Sequence, residues 1–391
     1  MAANSMYDHF NSAVMTSEAE GPELARDQHL VRAYRDALQT LMPRLQCPSC
    51  HSPELLELLP GSVAVSILTP VCDEHLHCPC CNTAFPVTED YIPIMWDDDL
   101  RQVYSEVEAS EFSSASTIIA NVAVYDSISN DYHQFTRQEQ PIAQRMQNGV
   151  QGILEQRRDS AVRATESEPL CHVDFGCGPG HVIGWLKDFG LQHIGVDVSI
   201  NNLRNAREHT GCLVVCGNAC NMPFADASID IVTESSVLHH IYDWKSAVAE
   251  SLRICKAHGG IVFDSEPSRD QLAWSPLAVG VYNMRFPAYK VMSLFLRGKY
   301  IFRDGEQARL NLEAEIHHQP GTGIPVEEVE SMFEGAGFTV KAVRSPTPLL
   351  ESKATPNWKG IVMNLLSARD PWNPKHGGFT TLGFRNEVKA A

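Results

Sequence analysis

Residues 173–180 read VDFGCGPG, and few folds accommodate that run. An apolar stretch ending in Asp174 passes directly into three glycines, Gly176, Gly178 and Gly180, with Cys177 and Pro179 between them. Glycine allows backbone angles closed to other residues and lets the chain pass close to a neighbour. HVIGWLKDFG, behind the turn, has helical spacing and stops at Gly190. LQHIGVD then supplies a second strand ending in Asp197, 21 residues beyond Gly176. Strand, glycine turn, helix, strand and acid together seat a nucleoside-bearing ligand at the carboxyl edge of a parallel sheet. The helix start offers free N–H groups to a carboxylate or phosphate, and Asp197 is placed to accept both ribose hydroxyls.

The alternation continues. SINNLRNAREH reads as a helix, CLVVCG as the third strand and SIDIVTES as the fourth. WKSAVAESLRICKAH reads as a helix closed by Gly259–Gly260, and GIVFDSE as the fifth strand. Strands and helices in this rhythm imply a mostly parallel sheet covered on both faces. Residues 267–320 break it with LAVGVYNMRFPAYKVMSLFLRGKYIF, which reads as a helical insertion or lid over the carboxyl ends of the strands. VEEVESMFEGAG, after Pro325, is a helix and FTVKAV a strand, with GIVMNLLSARD and FTTLGFRNEV as closing elements. The organisation expected is an N-terminal helical segment over 1–44 and a cysteine-rich module over 45–96. A linker and helical cap follow over 97–168, then the α/β domain over 169–391 with its lid at about 267–320.

The module has the pattern Cys47-Pro-Ser-Cys50 and Cys78-Pro-Cys80-Cys81. Two such turns bring four thiolates together as tetrahedral zinc requires. The expectation is a structural zinc ribbon held by Cys47, Cys50, Cys78 and Cys81, with Cys72, Cys80, His75 and His77 as competitors. A core of this size is marginal by itself, which gives a reason for the metal. Nothing in it resembles a water-activating metal motif, and a redox CxxC would be expected on a helix after a βαβ strand.

Formal net charge is −17, from 31 basic and 48 acidic residues, with no basic run to offset it. That balance disfavours nucleic acid as a partner and favours a small or neutral acceptor. No stretch reaches eighteen uninterrupted apolar residues, so no membrane span is expected, and the first residues lack the layout of a signal peptide. Cysteines crowded beside the glycine turn and in the module fit a reduced, cytoplasmic setting.

DFGCGPG, IGVDVS, GNACNMPFADASIDIV and SSVLHHIYDW resemble class I S-adenosylmethionine-dependent methyltransferases, most of all the ubiquinone/menaquinone-type and other small-molecule enzymes. The resemblance covers about residues 170–265. It implies a Rossmann-like seven-stranded methyltransferase sheet with a helical cap and lid, preceded here by the ribbon. It implies S-adenosyl-L-methionine bound by Tyr132, Asp174, Gly176, Cys177, Gly178, Gly180, Asp197, Val198, Asn218, Ala219 and Glu234. The glycines would lie against methionine and ribose, Asp174 near the methionine amino group and Asn218-Ala219 beside the adenine. Asn218 stands where the family often has Asp, and an amide oxygen still accepts a hydrogen bond. Met222, Pro223 and Phe224 match the family's Leu-Pro-Phe segment near adenine, and His258 replaces the proline of its Pro-Gly-Gly turn. The ribbon is similar to those of some ribosomal RNA methyltransferases and of small methyltransferase-partner proteins. A dinucleotide enzyme is the rival for the glycine turn, but GCGPG is followed by no glycine until Gly184.

A sulfonium methyl is already activated, so such an enzyme mainly aligns its acceptor and excludes water, adding a base only if the acceptor must lose a proton. The candidates are His239, His240 and Glu266. Tyr125 and Tyr132 stand in a cap segment suited to covering cofactor or acceptor. Arg285, among Tyr282, Phe286 and Tyr289, could hold an acceptor carboxylate, and His317 and His318 could reach the pocket. The function expected is methyl transfer to a small natural-product or lipid-like acceptor, at oxygen, nitrogen or carbon. The alternatives are an RNA methyltransferase whose ribbon touches substrate, a non-catalytic cofactor-binding partner protein, and transfer of another group of the cofactor.

Overall fold

The computed structural model describes residues 28–63, 69–96, 140–159, 169–284, 314–344, 358–370 and 373–385, with isolated residues between 117 and 125. Helix α1 (Gln28–Leu41) buries Leu38 and Leu41, and a short 3-10 turn containing Pro43 ends it. The module follows as an antiparallel sheet of β1 (Glu57–Pro60), β2 (Val71–His77) and β3 (Ala84–Thr88). The next strand, β4 (Ile94–Met95), leaves the module and joins the main sheet.

That sheet has eight strands among the described residues, in the order β10-β11-β9-β8-β5-β6-β7-β4. Its members are β5 (Cys171–Phe175), β6 (Gln192–Asp197), β7 (Leu213–Gly217), β8 (Ile229–Ser235), β9 (Cys255–Glu266), β10 (Phe338–Arg344) and β11 (Phe379–Arg385), besides β4. Strands β5 to β9 run parallel, whereas β11 is antiparallel to β9 and β10 to β11. Strand order reverses between β5 and β8, so a crevice opens there at the carboxyl ends, where sheets of this kind take their ligands. Every residue of β5 is buried, as a strand covered on both faces requires. Phe175, Phe263 and Phe333 stack edge-to-face at 5.5–5.9 Å through the centre of one layer.

Several helix ends follow from local chemistry. Helix α2 (Gln140–Asp159) crosses β9, α3 (His181–Leu186) follows the glycine turn, and Gly190 closes the next turn at φ 70°. Helix α4 (Ile200–Thr210) starts where the Ser199 hydroxyl accepts from the Asn202 N–H and stops at left-handed Gly211. Helix α5 (Trp244–Ile254) is capped by Asp243, α6 (Arg269–Leu272) by Ser268 and α7 (Pro276–Asn283) by Ser275 with Pro276 behind it. Helix α8 (Val326–Gly335) starts behind Pro325, and α9 (Trp358–Leu366) packs on α7.

Two expectations need correction. The helix predicted to run to Gly259 ends at Ile254, and residues 255–260 belong to β9. A bulge explains the difference: Ile229 faces Cys255 whereas Ile231 faces Gly260, and His258 takes a left-handed φ of 58° within it. A Cβ on Gly259 would lie 2.6 Å from the Asp230 carbonyl, so the bulge packs too closely for any side chain there. The sheet also gains an eighth strand, because β4 pairs with β7 through Ile94↔Cys216 and Met95↔Gly217. Tyr132, Arg285, Phe286 and Tyr289 lie outside the described residues, as do most of the expected cap and lid.

Candidate functional site

The turn after β5 places Gly176, Gly178 and Gly180 at φ 61°, 51° and 88°. A Cβ on Gly176 would lie 2.4 Å from Val237, and one on Gly180 3.1 Å from the Ala206 backbone. These two glycines are fixed by packing. Gly178 differs: a Cβ there would meet nothing within 4 Å, so its backbone borders open space at the crevice. The helix behind the turn is only six residues long, which leaves the seat to the turn and to Asp197 rather than to a long helix dipole.

Asp197 joins this turn to the end of β6. Its Oδ2 accepts from the Gly178 N–H at 2.9 Å and its Oδ1 from the Ser199 N–H at 2.8 Å. Burial raises its pKa, and hydrogen bonds from the Ser199, Gly178 and Val198 N–H groups and from the Asn202 side chain oppose the rise. Asp174 is 1% exposed; its Oδ1 accepts from the Thr233 hydroxyl at 2.7 Å while Oδ2 is buried without a partner. Burial lifts Asp174 to about 7, helped by Asp197 and opposed by Thr233.

Val198 follows Asp197, and its carbonyl accepts from the Cys216 thiol at 3.6 Å. Cys177 is buried in the glycine turn. Beyond β7, the Asn218 side-chain oxygen accepts from the Cys220 N–H at 2.9 Å, which folds Asn218, Ala219 and Cys220 into a tight turn. The cysteine module braces this loop: the Gln46 N–H reaches the Pro223 carbonyl at 2.9 Å, and the Asn221 side chain donates to the Pro48 carbonyl at 3.1 Å. Asp90 of the module also pairs with Arg204 and Arg207 of α4 at 3.0 and 2.5 Å.

The expected base candidates gather beyond β8. Glu266 is fully buried; Oε1 accepts from the Val237 and Leu238 N–H groups at 2.6 and 3.0 Å, and Oε2 from the His239 N–H and Nδ1, each at 3.0 Å. Burial alone would raise Glu266, but His239 and these donors hold it below the usual carboxylate range. Glu234 is pushed well above that range by burial and by the negative Glu266, so the pair divides into one neutral and one charged carboxyl. His240 has both ring nitrogens occupied, Nδ1 by the Ala314 carbonyl at 2.6 Å and Nε2 by the Tyr125 hydroxyl at 3.1 Å. Burial and the adjacent His239 lower it to about 3, so it stays neutral. The His318 ring lies edge-on to His239 at 5.1 Å, and His317 contacts the Tyr242 carbonyl.

The four expected ligand cysteines converge. The sulfur atoms of Cys47, Cys50, Cys78 and Cys81 all lie within 4.8 Å of one another, with Cys47–Cys81 and Cys50–Cys78 each at 3.6 Å. Tetrahedral zinc with bonds near 2.3 Å needs sulfurs about 3.8 Å apart, so the set fits. Cys72, Cys80, His75 and His77 stand outside this group.

One residue at the crevice was missed. His172 lies beside Thr233 under Asp174, and the signal was a histidine inside the buried run CHVDF, which demands a partner.

A family model described as a methyltransferase domain matches residues 173–263. Demethylmenaquinone methyltransferase of Staphylococcus aureus is 34% identical over 182 residues, which span 45% of this chain and 70% of that protein. Among solved structures, the plantazolicin methyltransferase BamL aligns with 71% of this chain and all of its own, at 13% identity and a TM-score of 0.39. Phosphoethanolamine N-methyltransferase 2 of Haemonchus contortus, in complex with S-adenosyl-L-methionine, aligns with 66% of this chain and 60% of its own, at 14% identity and a TM-score of 0.36.

Proposed function

Since the chain belongs to the class I S-adenosylmethionine-dependent methyltransferases, we propose that it methylates a small, lipid-like or aromatic metabolite in the crevice between β5 and β8. The observation that carries the acceptor class is the kinship with demethylmenaquinone methyltransferase, and the acidic chain agrees with it. S-adenosylmethionine supplies a methyl group already activated on sulfur. In this reading Asp197, at the end of β6 beside the glycine turn, accepts the ribose hydroxyls. Gly178 lets the ligand lie against bare backbone, and Asp174 Oδ2 takes the α-ammonium group. Asn218, Ala219 and Val198 border the adenine, and Glu234 closes the floor as a neutral acid.

His239 is our choice of base. Its Nδ1 donates to ionised Glu266, which fixes the tautomer and leaves Nε2 as the acceptor for an acceptor proton. Glu266 is then a positioning residue, and His240, held at both nitrogens, is another. The module would hold one structural zinc through Cys47, Cys50, Cys78 and Cys81.

The test is turnover of the purified full chain with S-adenosylmethionine and a short-chain demethylmenaquinone, followed by mass spectrometry. A gain of about 14 Da on the quinone supports the reading, that being the mass of CH2 exchanged for hydrogen. Binding of S-adenosylhomocysteine with no methylated product from the quinone or from a metabolite extract would refute the acceptor class, and total RNA would be offered next.

A further inference from the structure

Asp174 stands at the end of a file of polar side chains running across three strands. The His193 Nδ1 lies 2.8 Å from the His172 Nδ1, the His172 Nε2 lies 2.8 Å from the Thr233 hydroxyl, and that hydroxyl reaches Asp174 Oδ1 at 2.7 Å. Sheet register builds the file. His172 and Asp174 are two apart on β5 and so share a face; His193 of β6 is the register partner of His172, and Thr233 of β8 that of Asp174. His172 and Thr233 are wholly buried, where such groups persist only if hydrogen-bonded.

The proton order follows from counting donors. A hydroxyl has one proton, and Thr233 gives it to Asp174. With Asp174 ionised, the His172 Nε2 donates to Thr233, which leaves its Nδ1 as acceptor and makes His193 the donor to it. Burial lowers the pKa of both rings, helped at His172 by His193 and opposed at His193 by a hydrogen bond with the Leu186 backbone. Asp174 Oδ1 is thus committed to the protein, while Oδ2 is buried, unpartnered and left over.

We propose that His193 and His172, acting through Thr233, are positioning residues that orient the Asp174 carboxylate so that Oδ2 receives the cofactor's α-ammonium group, an inference that rests on Asp174 being that group's partner. The file makes affinity for the amino-acid half of the cofactor depend on residues that never touch it. Because the ammonium favours ionised Asp174, affinity rises as pH rises through the Asp174 pKa. The Thr233 hydroxyl stabilises the carboxylate, so its removal moves that midpoint to higher pH. The other titratable groups facing Asp174 are Asp197 at the end of β6, Cys177 in the turn and Cys212 before β7. All three are left unchanged in the variants.

The experiment titrates the full chain calorimetrically with two probes across pH 5.5–8.5. S-adenosylhomocysteine carries the ammonium group, and 5′-methylthioadenosine has the nucleoside but lacks it. In Thr233→Val we expect S-adenosylhomocysteine to bind about tenfold more weakly at pH 7, as loss of one buried hydrogen bond to a charged group predicts. The midpoint should move upward, 5′-methylthioadenosine should bind as before, and Thr233→Ser should restore wild-type behaviour. His193→Gln, at the half-buried end of the file, is a second variant less exposed to misfolding and should move the midpoint in the same direction by less. Wild-type affinity and midpoint in both Thr233→Val and His193→Gln would overturn the proposal. So would equal weakening of both probes with no change of midpoint, the mark of a merely structural role. A wild-type chain that binds 5′-methylthioadenosine as tightly as S-adenosylhomocysteine would instead overturn the assignment of Asp174 on which the proposal stands.

Discussion

Gly176→Ala tests whether the glycine turn and the segment bearing His239 are one mechanical unit. At Gly176 the backbone has φ 61°, and an added Cβ would sit 2.4 and 2.6 Å from the two γ-carbons of Val237. Two separate costs follow. The left-handed backbone costs a residue with a Cβ about 1–2 kcal/mol, and the overlap with both methyls adds about 1–3 kcal/mol of overpacking. Gly176→Ala should therefore destabilise the chain by about 2–5 kcal/mol in urea unfolding. Val237→Ala removes both offending methyls and keeps only the Cβ contact at 3.1 Å, which small shifts absorb. By itself it should cost about 1 kcal/mol of lost burial. The double variant should recover the overlap cost but not the backbone cost, giving a coupling energy of about 1–3 kcal/mol. Because the Val237 N–H donates to both Glu234 and Glu266, Gly176→Ala should also disturb the His239 pairing, and the double variant should restore much of the lost turnover. Additivity of the two single changes within about 0.5 kcal/mol would refute the packing argument.

Four further outcomes are expected. Asp197→Ala should weaken S-adenosylhomocysteine binding at least about a hundredfold, because two charge-assisted hydrogen bonds are worth roughly 1.5–3 kcal/mol each; unchanged affinity in calorimetry would remove Asp197 from the site. Glu266→Gln should lower turnover by about tenfold or more while cofactor affinity stays within about threefold, since it loosens the His239 tautomer without touching the ligand; unaltered turnover would dismiss the His239–Glu266 pair. Asp174→Asn should flatten the pH dependence of stability. The folded carboxyl holds its proton up to about 7 whereas the unfolded one loses it near 4, so wild-type stability falls between those values by up to about 1.4 kcal/mol per pH unit, and a slope unchanged by the substitution contradicts the raised value. Elemental analysis should find one zinc per chain, lost in Cys78→Ser together with several degrees of thermal stability, whereas a fully reduced chain without zinc would deny the metal reading.

The sheet's parallel half could be read from sequence because each of its signals is local. Apolar runs of strand length, Ser199 and Asp243 before helices, and glycines 190 and 211 after them are each stated within a few residues. What escaped depends on pairing between distant segments. Residues 255–258 have helical composition, and only the register against β8 makes them strand. Ile94 and Met95 stand in short-strand material, FPVTEDYIPIM, but only their register against β7 makes them part of the main sheet. The candidate site divides in the same way. The glycine turn and Asp197 meet because the helix between them is short, whereas the contact of His172 with His193 and Thr233 exists only once three strands lie in register. Glu266 stood among the possible bases because it ends a strand, and sequence could not reveal that four N–H donors would converge on it.

The pairing of β4 with β7 covers one flank of the main sheet. A parallel sheet that ended at β7 would present a row of unused N–H and C=O groups, an invitation to pair with the same edge of another molecule. Here the last strand of the cysteine module occupies that edge, and the Cys216 N–H is taken by the Pro93 carbonyl at 3.0 Å. That pairing leaves fewer unused backbone groups along β7 for another molecule to meet. A trimmed chain beginning at residue 97 would keep the whole glycine-turn apparatus and still be expected to precipitate through its bared flank.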